Sequence, residues 1–213
     1  MKHLVIIGAR GWGREVYAGA IGTKAYRDGE YDVKGFLDSK ADAFDGLKGN
    51  FPPIICAPED YEIQPDDVFF VAMGDPMWRK HYAEMMAKKG AKFISIIEDE
   101  AFVNPTATIG QGVYLTRWSA VSDNVTIGNH VMIHGYSALG HDAKVKDYAS
   151  IESCCFMGGG AELGECATLH VRSHLLPHKK VGDRAVVGSN SVVMRNVPDD
   201  QHVFGNPAKK MEF

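Results

Sequence analysis

VTIGNHVMIHGYSALGHDAKV, residues 125–145, is the stretch whose reading decides the fold. Its aliphatic residues Ile127, Ile133, Leu139 and Val145 fall six apart. The interval continues unbroken in both directions, through Val103, Ile109, Leu115 and Val121 before it and Ile151, Met157, Leu163, Leu169, Leu175, Val181, Val187 and Val193 after it. A helical face repeats about every 3.6 residues and a half-buried strand about every 2, so a strict six fits neither. It is the interval of a solenoid whose short strands are separated by turns at equal spacing.

Two flanking slots define the winding. Two residues before each aliphatic the chain is mostly small or slender (Ala107, Val113, Ser119, Val125, Val131, Ser137, Ala143, Ala149), and Lys179 is the one large residue there in the later coils. Just after the aliphatic stands Gly at 110, 128, 140, 158, 164, 182 and 188, expected to supply the backbone freedom of a corner. The pattern resembles the hexapeptide repeat of the left-handed parallel β-helix acyltransferases. That resemblance implies three hexads per triangular coil, residues eighteen apart stacking at about 4.8 Å, and roughly five coils. The ladder itself is core and specifies architecture, so function has to come from a site.

Before Val103 the period changes. Leu4–Ile7 reads as a buried strand, Gly8-Ala9-Arg10-Gly11-Trp12-Gly13 as a glycine turn and Arg14–Ile21 as a helix. Strands follow at Val33–Leu37, Ile54–Cys56 and Val68–Met73, then a helix from about Pro76 to Lys89 and a last strand Phe93–Ile97. Strands alternating with helices imply a small parallel sheet. The chain is therefore expected to hold an α/β Rossmann-like half domain at 1–100 that binds a nucleotide sugar, and a left-handed parallel β-helix with a C-terminal tail at 101–213.

The turn has the order G-x-x-G-x-G rather than the dinucleotide fingerprint, so NAD binding is not read from it. Its glycines still permit close backbone approach, and the amides at the following helix start attract phosphate. Asp38, closing the second strand, suits a ribose or base. A formal charge of -4 and a pI near 6.1 give no reason to expect nucleic acid or an anionic membrane as partner. The basic residues gather late: the chain from Cys166 onward is locally positive, and an anionic ligand is sought there. Four cysteines without CxxC spacing, no signal-like leader and no long apolar run lead to the expectation of a soluble cytoplasmic protein with reduced thiols.

Taken together, the glycine turn, Phe36-Leu37-Asp38, Val71-Ala72-Met73-Gly74-Asp75 with Arg79, Lys80 and Tyr82 beyond it, the hexapeptide solenoid, Gly140-His141-Asp142 and the terminal Phe204-Gly205-Asn206-Pro207-Ala208-Lys209 resemble the sialic acid O-acetyltransferase family. That family includes acetyltransferases of nucleotide-linked amino sugars of the bacillosamine and perosamine pathways. Of the nine histidines, six lie in the solenoid, and His141 alone of those six is followed by an acid. Acyl transfer to an amine or hydroxyl needs a base, and imidazole suits it. The resemblance implies His141 as that base, Asp142 raising its basicity, and the Gly159 amide near the thioester carbonyl as oxyanion donor.

The same carry-over runs acetyl-CoA, as co-substrate, past Ser150, Gly159, Val171 and Ser189, with Lys179, Lys180 or Arg184 on its phosphates. It sets Arg10, Gly11, Trp12, Asp38 and Gly74 around the nucleotide part of the substrate. His134, Glu152 and His170, eighteen apart, are expected to form one column that either touches the sugar or is a surface ladder. His134 stands where the family typically has Asn, and Ser150 where amino-sugar members often have His. The resemblance further implies direct transfer without a covalent enzyme intermediate, and a homotrimer with the acyl donor between neighbouring solenoids. No metal is expected. The alternatives weighed are O-acetylation of sialic acid or a related sugar, a zinc hydratase of the γ-carbonic-anhydrase type using His170, His174 and His178, and an inactive sugar-nucleotide-binding trimer. Which nucleotide, sugar and acyl length are used is not legible in the residues.

Overall fold

The computed structural model describes residues 1–211 and resolves two compact units, Met1–Asp99 and Glu100–Phe213. Glu212 and Phe213, the end of the expected 101–213 segment, lie outside the described residues.

The first unit is a four-stranded parallel sheet in the order β3-β2-β1-β4, formed by β1 (Lys2–Ile7), β2 (Tyr31–Leu37), β3 (Ile54–Cys56) and β4 (Asp67–Val71). Leu4 to Ile7 and all of β4 are buried, the continuous apolar reading of strands covered on both faces. Helices α1 (Gly11–Gly22), α2 (Lys24–Arg27) and α3 (Pro76–Lys88) make the connections; Thr23 caps α2 by accepting from the Tyr26 amide. The expected strand at Phe93 contributes one parallel bridge to Phe69. Beneath the sheet Asp67 has a fully buried carboxylate that accepts from Lys34 Nζ (2.7 Å), Tyr61 Oη (2.7 Å) and the Gln64 amide (2.8 Å). Burial alone would raise its pKa, but these donors together hold it below the usual carboxylate range.

The second unit is the expected left-handed β-helix. Two-residue strands stack in parallel at intervals of eighteen, as in Thr126↔Lys144, Met132↔Ser150 and Ala138↔Phe156. They build three faces. Thr108–Ile109 to Lys180–Val181 form the first, Tyr114–Leu115 to Val186–Val187 the second, and Phe102–Val103 to Val192–Val193 the third. The second residue of each strand points inward, so the six-residue ladder becomes one continuous core from Val113 to Val203. His202–Phe204 extends the second face in parallel, and Lys209–Lys210 returns antiparallel to it.

The corners differ from the expectation. The residues with left-handed backbone are not the glycines after the aliphatics. They lie two positions further on, at every sixth residue from Gly112 to Asn190, and include Trp118 (φ 60°), Tyr136 (φ 61°), Asp142 (φ 59°) and Tyr148 (φ 60°). The glycines are required for close stacking instead: a Cβ on Gly110 would lie 2.6 Å from the Gly128 carbonyl oxygen of the next coil. Side chains that ordinarily resist this conformation accept it because the coils above and below bond the corner backbone, as in Asp142 N–H to Asp123 O (3.0 Å) and Tyr148 N–H to Asn129 O (2.8 Å).

Candidate active site

In the first unit the turn after β1 is built by two glycines that packing demands. Gly8 has φ +103°, and a Cβ on it would lie 2.8 Å from Ala72 O; a Cβ on Gly13 would collide with the Gly8 carbonyl. Gly11 and Gly74 are different. Neither has a left-handed φ, and the space a Cβ would take is open, so these two leave backbone accessible rather than relieve crowding. Asp38 is buried and ties the turn to β2, accepting from the Ala9 amide through Oδ2 and the Lys40 amide through Oδ1, each at 2.9 Å. On the opposite wall Asp75 caps α3 by accepting from Met77 N (2.8 Å) and Trp78 N (3.0 Å). The buried Arg79 donates to Met73 O (2.7 Å) and Gly74 O (3.2 Å), fixing the segment after β4.

Between these walls, at the carboxyl ends of β1, β2 and β4, lies a cleft of about 440 Å³. This is where open parallel sheets bind ligands. It gathers Arg10, Trp12, Asp38 and Gly74 as expected; Gly11 sits within the turn but does not line it, and His134, in the other unit, is not part of it. The lining residues not singled out beforehand are Ser39, Pro58 and Trp78, and Ala72, Met73 and Tyr82 were noted only within motifs. Trp78 is 57% exposed and stacks on Tyr82 with centroids 6.2 Å apart. Burial pushes the Tyr82 phenol up, with Glu59 and Asp38 adding and Arg10 opposing, so the hydroxyl keeps its proton and can donate.

In the second unit His141 occupies the corner between the third and first faces. Leu139 before it points inward, Asp142 after it takes the left-handed bend, and the imidazole is 66% exposed. Its Nδ1 lies 2.7 Å from Asp142 Oδ2, which assigns the proton to Nδ1 and leaves Nε2 as the acceptor. The Asp142 carboxylate is held below the ordinary range, first by His141 and next by the Asn124 amide at 2.6 Å. Nε2 faces Gly159 one coil on, close enough that a Cβ there would be 2.5 Å away. The Gly159 carbonyl accepts from His178 N (3.0 Å) and Gly160 N donates to His141 O (2.8 Å), while among the described residues the Gly159 amide meets no acceptor. An imidazole nitrogen with an open lone pair thus faces a glycine whose N–H has no acceptor among the described residues, and acyl transfer uses groups of these two kinds.

The remaining expected contacts are not gathered in one groove of one chain. Val171 and Ser189 are exposed at the corner between the second and third faces, Ser150 is buried on the second face, and Gly159 and Lys179 belong to the His141 corner. Two of the three cations expected on phosphates are paired within the chain. Lys180 Nζ lies 2.8 Å from Glu162, and Arg184 holds Asp200 through two bonds of 2.6 and 2.7 Å. Among the described residues Lys179 meets no carboxylate. In the column at the other corner Glu152 binds His170 Nδ1 (3.0 Å) and the Val171 amide (3.0 Å), with His134 one coil before it. His170, His174 and His178 fall on a corner, a face and the next corner, so they do not converge; among the described residues no cluster of metal-binding side chains forms.

The sequence matches the PglD N-terminal domain family over residues 3–86. It is 29% identical over 116 residues to the UDP-N-acetylbacillosamine N-acetyltransferase of Bacillus subtilis (strain 168), covering 54% of this chain and 51% of that protein, so the match spans about half the length of that curated relative. Two solved structures extend the likeness across the chain. The acetyltransferase domain of PglB from Neisseria gonorrhoeae superposes with TM-score 0.87 at 25% identity, covering 99% of this chain and 100% of that one, and has also been solved with acetyl coenzyme A. A perosamine N-acetyltransferase from Caulobacter crescentus, solved with CoA and GDP-perosamine, has the same fold, with TM-score 0.86 at 23% identity over 100% of this chain and 98% of that one. The resemblance read first from the motifs, to hexapeptide-repeat acetyltransferases of nucleotide-linked amino sugars, is borne out by these matches.

Proposed function

Given that likeness, we propose that this chain transfers the acetyl group of acetyl-CoA to the amino group of a nucleotide-linked sugar. The observation that carries the reading is the His141 corner, where Nε2, its tautomer set by Asp142, faces Gly159 and its unengaged amide. In this mechanism the sugar amine attacks the thioester carbonyl carbon while Nε2 takes the amine proton. Negative charge gathers on the carbonyl oxygen, where the Gly159 N–H donates to it. The tetrahedral intermediate collapses by breaking the carbon–sulfur bond, and the imidazolium returns its proton to the departing thiolate. Both substrates are bound together and no acyl-enzyme forms. Asp142 stays ionised and offsets the imidazolium charge while it lasts.

The cleft of the first unit suits the nucleotide part. Arg10 and the start of α1 would take phosphate, Gly11 and Gly74 leave room for backbone contact, and Trp12 and Trp78 offer flat apolar surface to a base. The acyl donor requires two copies of the chain. Its expected contacts Val171 and Ser189 lie one corner away from Gly159 and Lys179, so a groove touching all four closes when the corner of one solenoid meets the other corner of a neighbour. The third face supports such an assembly, since Phe102 (59% exposed), Phe156, Trp118 and Tyr136 present apolar surface along it and its edge. A heterologous contact of this kind gives a closed ring when its rotation closes, and a homotrimer is the ring this reading proposes. No helix among the described residues is long and apolar enough to cross a membrane, and a cytoplasmic setting, where acetyl-CoA and nucleotide sugars are made, fits the free cysteines.

Thiol release from acetyl-CoA, measured against a panel of amino-sugar nucleotides and their hydroxyl counterparts, tests the reading. Turnover with an amino sugar that His141→Gln abolishes is expected. Full turnover in His141→Gln removes the mechanism, and no thiol release with any acceptor removes the enzyme.

A further inference from the structure

The column beneath Asp142 is organised in a way that the proposed chemistry does not by itself require. Asn124 lies eighteen residues before Asp142, so the two stack at the same corner on successive coils, and Asn124 Nδ2 donates to Asp142 Oδ1 at 2.6 Å. The other carboxylate oxygen, Oδ2, is the one that holds His141 Nδ1. Asn124 is itself anchored from below. Its backbone amide donates to Thr106 Oγ1 (2.8 Å), and that hydroxyl donates to Asp123 Oδ1 (2.6 Å). Asn124 takes the left-handed bend (φ 54°), the same slot that Asp142 fills one coil on and that Gly160 fills above. A ladder of hydrogen bonds therefore runs from Thr106 through Asn124 and Asp142 to the imidazole, across three coils of an exposed corner.

We propose that Asn124 is a positioning residue for the His141–Asp142 pair: it fixes the carboxylate's rotamer, so that the ring keeps its proton on Nδ1 and presents Nε2 to Gly159. The inference rests on His141 acting as the base. The physical need is clear from exposure. Both side chains are more than half exposed, so neither is held by packing, and a free aspartate beside a free histidine would sample many rotamers. Engaging both oxygens restricts the carboxylate to one. An asparagine does this without charge, whereas an aspartate there would add a third anion to a corner that already holds Asp123 and Asp142, beside His141 and, from above, His178.

Two variants separate positioning from scaffold. Asn124→Gly removes the amide at a bend that glycine accepts without strain, as Gly112 and Gly160 do in the same slot. Its kcat is expected to fall about tenfold with KM for acetyl-CoA within about twofold, because the geometry of the base changes and donor binding does not. The 15N signals of the His141 ring are expected to move from a single Nδ1–H form toward a mixture of tautomers, a readout independent of activity. Asn124→Asp keeps the size of the side chain but loses the amide donor, and its kcat is likewise expected to fall about tenfold with KM for acetyl-CoA within about twofold. Wild-type kcat and an unchanged ring spectrum in Asn124→Gly, or wild-type kcat in a folded Asn124→Asp, overturns the proposal. His141→Gln run alongside distinguishes the two levels. If it retains turnover, the base assignment fails and the positioning role fails with it; if it is dead while Asn124→Gly is wild-type, Asn124 alone is refuted.

Discussion

Replacing Gly159 by alanine tests the geometry of the corner with a single methyl group. The backbone accepts the change, because Gly159 does not adopt a left-handed φ, but the new Cβ would stand 2.5 Å from His141 Nε2, 2.7 Å from Cε1 and 3.1 Å from Cδ2. Ordinary carbon contacts begin near 3.4 Å, so the ring has to retreat by about 0.9 Å while its Nδ1 remains tied to Asp142. A misplacement of this size at a reacting group costs on the order of a hundredfold in rate, about 2.7 kcal/mol of transition-state stabilisation. The imidazole is largely exposed, so stability is expected to stay within about 1 kcal/mol of the parent. The assay is thiol release from acetyl-CoA at saturating nucleotide sugar, paired with a thermal melt of the same preparation. A Gly159→Ala enzyme with an unchanged melting temperature and activity within threefold of wild type would refute the argument that Nε2 works in the space above Gly159.

Three further outcomes follow from other parts of the molecule. Trp78→Ala is expected to raise KM for the nucleotide sugar about tenfold, leaving KM for acetyl-CoA unchanged, as measured by initial rates with each substrate varied in turn. Phe156→Glu puts a charge on the apolar third face and is expected to shift the light-scattering mass from three chains toward one; a monomeric parent protein at micromolar concentration would contradict the assembly itself. Asp67→Asn is expected to destabilise the first unit by about 2–3 kcal/mol at neutral pH, read by denaturant unfolding, because Lys34 loses its buried partner. The sign with pH is fixed by the lowered carboxyl: its folded value lies below the unfolded one, so its stabilisation is present above the unfolded value and disappears as pH falls through the folded one. The variant is therefore expected to lose the parent's dependence in that acid range, and an identical acid transition in both proteins would count against the pairing.

The sequence made some of this legible and left other parts hidden, for physical reasons. The ladder from Val103 to Val193 dictated the solenoid because a strand face in a coil admits little but aliphatics, and His141 stood out because an acid follows it. The bend residues were not visible: Trp118, Tyr136 and Tyr148 give no local sign of left-handed backbone, since bonds from adjacent coils, not intrinsic preference, hold them there. For the same reason the glycines were read as bends when they serve close stacking. Asn124 was missed although the stacking interval of eighteen led to it directly, and the same interval, which joins Glu162 to Lys180, was not used to find that pair. Arg184 and Asp200 are sixteen apart, where the regular interval has ended, and no spacing rule would have joined them. Trp78 stayed hidden because its role depends on α3 closing one wall of a cleft, a tertiary fact.

A body wound from identical rungs measures length in fixed increments. From the His141 corner to Lys179 the chain climbs two turns, so the span available to an extended donor is set by counting rungs at about 4.8 Å each rather than by adjusting side chains. Insertion of one eighteen-residue turn above Gly159 would keep every local contact of the dyad and carry the cation one step out of reach. In such a scaffold the distance from the His141 corner to any residue on the coils above it changes only by whole turns.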